Sequence, residues 1–132
     1  MLGQLERTDE FVIADLEAGV GNLMRMAANS VDAIFVVVEA TPKSIEVAQR
    51  AVTVAADRGV APVRVIANKI RTPDDMTMIR AALGADLVMV PEDLAILAAD
   101  REGRSVIDTA PHTPAVAVLA RVAMALWADL PA

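Results

Sequence analysis

Cysteine and tyrosine are absent from the 132 residues, and the aromatics amount to one tryptophan and two phenylalanines. Without thiols there are no disulfides and no thiolate metal ligands, and nothing marks an oxidising compartment. Basic charge is also scarce: 12 Lys and Arg against 18 Asp and Glu leave a net charge of −6. That balance argues against a broad nucleic-acid surface, because neutralising phosphates takes clustered Lys and Arg. Long apolar runs are missing too. The longest, residues 115–128, is interrupted by Arg121 and falls short of the roughly 20 residues a membrane span needs. Residues 1–10 lack the basic and apolar regions of a signal peptide. The expectation is a single domain over residues 1–132, soluble and cytoplasmic, with no membrane partner.

What is present is an apolar fraction of 55% supplied by Ala, Val, Leu, Ile and Met. Small and branched aliphatics packed between layers make an α/β composition. Residues 11–14 (Phe11, Val12, Ile13, Ala14) read as a short strand, and residues 22–30 carry the Leu23, Met26, Ala27 spacing of a helix face. Residues 33–38 form a continuous apolar run, the pattern of a strand buried on both faces of a parallel sheet. Thr41 before Pro42 signals a helix start, with the hydroxyl as cap and proline at the first position. This helix should run to about Arg58 and stop at Gly59. Residues 63–67 give a third strand. Pro73, Asp74 and Asp75 open a helix ending at Leu83 and Gly84. Residues 87–90 give a fourth strand, Pro91-Glu92-Asp93 the next helix start, and residues 113–128 a last helix. Strands alternating with helices predict an α/β fold, a two- or three-layer parallel sheet of about four strands.

In such a sheet all strand tips share one edge, where open α/β folds bind ligands. Asp15, Glu17 and Gly19 would stand there, with Glu39 and Thr41, Asn68 and Lys69, and Pro91, Glu92 and Asp93. An aspartate at a strand tip beside glycine suits a magnesium-phosphate corner, the carboxylate holding a metal-bound water; the same residues also suit a solvated loop. Asn68 offers a donor and an acceptor to a purine edge, and the stem of Lys69 a cover for its ring, although asparagine is also a common turn residue. Pro91-Glu92-Asp93 is equally a plain helix start. His112, between prolines, reads as solvated.

In this order the tips resemble the MinD, ParA and CooC group of deviant P-loop ATPases, most of all the CooC-type ATPases that assist nickel insertion into carbon monoxide dehydrogenase. The resemblance spans about residues 9–128. Asp15-Leu16-Glu17-Ala18-Gly19-Val20 is similar to that family's switch stretch, which implies Asp15 in a magnesium shell, through water, and Gly19 near the γ-phosphate. Glu39-Ala40-Thr41-Pro42 with Ser44 resembles the segment after the next strand. Asn68-Lys69 is similar to the purine-reading dipeptide, and Val90-Pro91-Glu92-Asp93 to the stretch lining the base. ATP or ADP with magnesium, bound by Asp15, Glu17, Gly19, Asn68, Lys69, Pro91, Glu92 and Asp93, are the implied ligands of a partial P-loop NTPase (SIMIBI-like) fold.

Two departures stand out. Gly21 and Asn22 follow Val20 where CooC-type proteins carry Glu-His. More important, lysine occurs only at positions 43 and 69, neither after a glycine, so Gly-x-x-x-x-Gly-Lys-Ser/Thr has nowhere to sit. The resemblance is to the C-terminal half of such an ATPase, and hydrolysis by these residues alone is not expected, since nothing cradles the β- and γ-phosphates. One sheet face would then lack its cover, and the last helix, apolar nearly all round, should be buried on several sides. Both features predict a homo-oligomer or a P-loop-bearing partner chain.

Other readings fit less well. A dinucleotide-binding module would use Gly19 and Gly21 with Glu39, but Met24 occupies the third glycine position and Asp15 with Glu17 would repel a pyrophosphate. A receiver domain would use Asp15, Thr41 and Lys69, but lacks the paired acids of the first strand. A non-catalytic oligomerisation or interaction protein built on the ATPase fold remains the serious alternative.

Overall fold

The computed structural model describes residues 12–16 and 20–129. Its centre is a parallel sheet of three strands in the order β1 (Ile34–Val38), β2 (Val63–Ile70), β3 (Leu87–Pro91). Val36 faces Val65 across β1 and β2, and Ile66 faces Val88 across β2 and β3. Parallel neighbours require crossovers, here α1 (Pro42–Asp57) and α2 (Pro73–Leu83). After β3 come α3 (Leu94–Arg101), a single turn α4 (Val106–Thr109) and α5 (Pro114–Asp129).

Local chemistry explains the crossover helices. Thr41 Oγ1 accepts the Ser44 N–H at 3.2 Å, with Pro42 at the first helical position. Past the end of α1, Gly59 takes φ +58°, a left-handed conformation that glycine adopts without steric cost. At α2 the cap is reciprocal: the Thr72 hydroxyl accepts from Asp75 N–H, and Asp75 Oδ2 accepts from the N–H of Thr72 at 3.0 Å and of Arg71 at 2.8 Å.

Alternation along the strands divides the core in two. Val36, Val38, Val65 and Ala67 pack with Ile45, Ala48 and Ala51 of α1 and Met76 and Ile79 of α2. The alanines keep that face of α1 flat enough to lie close to the sheet. On the other face Ile66 and Val90 pack with Ala115 of α5, flanked by Phe35, Val88 and Val118. Because α5 lies along β3, the fold is three layers deep there and two layers deep toward β1, where Val37 is 57% exposed.

Several expectations need correction. Residues 12–14 of the first strand expected over residues 11–14 carry no strand pairing, nor do residues 15 and 16, and Ile13 is 91% exposed; a strand needs a neighbour for its backbone groups, and the described sheet gives it none. The sheet therefore has three strands among the described residues, not four. The helix expected over residues 22–30 shrinks to a 3-10 turn, Leu23–Arg25, in which only Leu23 is buried. Pro91 closes β3 rather than opening a helix, leaving Asp93 as the cap of α3. The last helix forms as expected, and in the single chain Met124 is 72% and Trp127 67% exposed. Among the described residues no helix is long and apolar enough to cross a membrane.

Candidate functional site

The C-terminal ends of the three parallel strands converge on one edge of the sheet, and β2 is irregular there. The pairing of β2 with β3 shifts register between Ala67 and Ile70, so Asn68 and Lys69 lie in a bulge. Lys69 takes φ +55°, a left-handed conformation uncommon for a residue with a side chain. Bulges re-aim side chains and are frequent beside binding sites. Beyond the bulge Ile70 stands opposite Pro91, and the Glu92 N–H donates to the Ile70 carbonyl at 3.0 Å.

Across the other gap, Lys69 Nζ meets Glu39 Oε1 at 2.8 Å. The hydrogen bond and charge of Glu39 raise the pKa of Lys69 above its ordinary value, with a smaller contribution from Glu92. Glu39 is itself held by its backbone, whose N–H donates to Ser44 Oγ at 3.0 Å in the first turn of α1. Glu39 directly follows β1, whereas Asn68 and Lys69 lie within the bulged C-terminal end of β2. The sequence signal for the pairing of Glu39 with Lys69 is a charged residue at or just past the C-terminal end of each of two adjacent apolar strands.

Asp93 has a different setting. Oδ1 accepts the Ala95 N–H at 3.0 Å and Oδ2 the Ala115 N–H at 3.3 Å. Partial burial works to raise its pKa, but these N–H bonds outweigh it and hold the carboxyl below its ordinary value. Both oxygens thus fasten α3 and α5. The structure brings Glu39, Asn68, Lys69, Pro91, Glu92 and Asp93 to one edge. Asp15 lies in the exposed, unpaired residues 12–16 rather than at a strand tip, and Glu17 and Gly19 lie outside the described residues. Among the described residues no three His, Asp or Glu side chains converge as a metal site. Asp15 alone is an incomplete donor set, since magnesium takes near-octahedral oxygen coordination, with phosphates and water completing it.

The edge has an amide and a lysine stem for a planar base, but no lysine placed for a terminal phosphate. No protein-family model matches the chain. The chain is 34% identical over 126 residues to the carbon monoxide dehydrogenase accessory protein CooC of Rhodospirillum rubrum, covering 89% of this chain and 48% of that protein. It is 33% identical over 104 residues to an uncharacterized ATP-binding protein of Methanocaldococcus jannaschii, covering 76% and 40% respectively. Among solved structures, the MinD cell division protein of Aquifex aeolicus superposes with a TM-score of 0.60 at 20% identity, over 79% of this chain and 47% of that one. This chain is a relative of the MinD/ParA/CooC-type P-loop ATPases. The MinD superposition carries the fold alone, a P-loop NTPase-like α/β arrangement; the two sequence matches carry the kinship with ATP-binding proteins. The chain spans about half the length of the curated CooC-type and ATP-binding relatives it matches.

Proposed function

We propose that this chain is the base-recognising, C-terminal half of a MinD/CooC-type nucleotide-binding domain, unable to hydrolyse ATP alone. The observation that carries the reading is the bulged tip of β2, where Asn68 and the left-handed Lys69 stand beside Glu39 and Glu92. Asn68 offers an amide to a purine edge, and Lys69 an aliphatic stem to its face. The phosphate end supports the second clause. Lys69 is engaged by Glu39, and Lys43, in the exposed first turn of α1, follows no glycine loop. The magnesium corner of Asp15, Glu17 and Gly19 belongs to a completed domain. Its completion requires a P-loop, supplied by a partner chain or by residues outside this sequence; the exposure of Val37 on β1 supports a further element beside that strand. The working cofactors are then ATP or ADP with magnesium, in the cytoplasm. The role carried over from CooC is metal-centre maturation, with partitioning as the MinD/ParA counterpart.

Titration of the whole chain with ADP and ATP in the presence of magnesium tests this, followed by calorimetry and by the amide signals of Asn68 and Lys69. Binding of either nucleotide with shifts at those amides supports the reading. Binding of NAD instead points to a dinucleotide module. No binding by any of them leaves the second reading, a non-catalytic interaction protein derived from the same fold. The exposure of Met124 and Trp127 on α5 gives that second reading an apolar surface to work with.

A further inference from the structure

We propose that Glu39 is a positioning residue for Lys69, holding the lysine stem as a fixed wall beside Asn68 against which a planar heterocycle stacks. The inference rests on the nucleotide-binding reading above and adds a residue which that reading does not include.

Three independent restraints meet at this pair. The Glu39 backbone is tied into the start of α1 through its N–H to Ser44 Oγ at 3.0 Å, and its carbonyl accepts the Thr41 N–H at 2.8 Å. Register places Val38 opposite Ala67, the last pair of β1 with β2, so Glu39 leaves β1 beside the Asn68-Lys69 bulge of β2. The backbone of Lys69 is left-handed at φ +55° inside the β2 bulge, which changes the direction of its side chain from that of regular strand alternation. The carboxylate then meets the ammonium at 2.8 Å.

A lysine at the surface ordinarily samples many rotamers, and ordering it for a ligand costs entropy at the moment of binding. A lysine already held at both ends, by a bulged backbone and by an ion pair, has given up part of that freedom beforehand. Glu92, on the far side, also attracts the ammonium, but it is Glu39 that makes the short contact. Holding the charged end at Glu39 leaves the four methylenes, not the ammonium, as the surface offered beside Asn68. Apolar faces of that kind suit the flat ring of a base.

The test uses the whole chain with adenosine, which carries the base and no phosphate, and follows the Asn68 and Lys69 amides and the Lys69 ε-methylene by NMR. In the parent protein the ε-methylene is expected to be ordered before adenosine is added. Glu39→Gln should mobilise it and weaken adenosine binding by up to about fivefold, the upper end for an exposed ion pair, with Glu39→Asp recovering part of both. Lys69→Met should behave like Glu39→Gln, and the double variant should be no worse than either single one, the non-additivity that marks residues acting through each other. Adenosine binding that is unchanged in Glu39→Gln overturns the inference and leaves the nucleotide reading standing. No adenosine response in the parent protein overturns the nucleotide reading instead. In that event the stacking role falls as well; ε-methylene order that survives Glu39→Gln then overturns the positioning of Lys69 too, and order lost with Glu39 retains that contact alone.

Discussion

Asp93 accepts the backbone N–H of Ala115 through Oδ2 at 3.3 Å, so the residue that starts α3 also holds the start of α5. Ala115 is fully buried against Ile66 and Val90, with Val118 packed beside it. One carboxylate beside the candidate site thereby joins the strand ends to the helix that covers the second sheet face.

Replacing this carboxylate is expected to release the helix. In Asp93→Ala the amides of Ala115 to Val118 should exchange with solvent faster, while those of β1 and β2 keep their protection. Uniform acceleration across the whole sheet would show instead that α5 is integral to the global fold.

Acid should act on this tether and on the start of α2. Asp75 is held below its ordinary pKa by the N–H groups of Arg71 and Thr72, and Asp93 by those of Ala95 and Ala115 against the opposing effect of partial burial. A depressed folded-state pKa contributes stability that is complete above the unfolded value, about 4, and is lost as pH falls through the lower folded value. Stability should therefore decline from about pH 4 downward, and Asp75→Asn should flatten the decline. Lys69 has the opposite sign. Its raised pKa contributes below the unfolded value of about 10.4 and is lost as pH rises through the folded one.

Two substitutions on α2 separate cap from core. Thr72→Ala removes one side of the reciprocal cap and should cost about 1 kcal/mol in denaturant unfolding. Ile79→Ala empties a fully buried position between α2 and the sheet and should cost about 2–5 kcal/mol. A Thr72→Ala effect as large as that of Ile79→Ala would mean that the start of α2 carries more than its cap.

If the exposed side of α5 is covered by a second copy, Trp127 reports it, being the one tryptophan in the sequence. Raising the concentration into the micromolar range should move its emission to the blue as the sedimentation coefficient rises, and Met124→Glu should suppress both changes. A monomer with invariant emission would remove the homo-oligomer and leave the partner chain.

Much of the fold was legible because its signals are local. Thr41-Pro42 and Thr72-Pro73 announce helix starts through hydroxyl caps and a proline whose missing N–H is not needed there, and Gly59 and Gly84 end the helices with positive φ. The run through Val36, Val37 and Val38 announces a strand, but only one of its faces is buried here, with Val37 57% exposed on the other. At the site, Asn68, Lys69 and Glu92 were legible as strand-tip residues, whereas the pairing of Lys69 with Glu39 was not. That pair depends on which strand lies beside which, and on a bulge that no single segment encodes.

The sequence by itself determined the alternation of strands and helices, the edge at which the polar tips gather and the family to which the chain is related, because capping, β-branching and short motifs act within a few residues. Only the tertiary structure decided that residues 12–16 stand outside the sheet, that Lys69 turns left-handed toward Glu39, and that Asp93 fastens Ala115. Each of these is a bargain between groups far apart in the chain, settled by whether a backbone or a charge finds its partner in space.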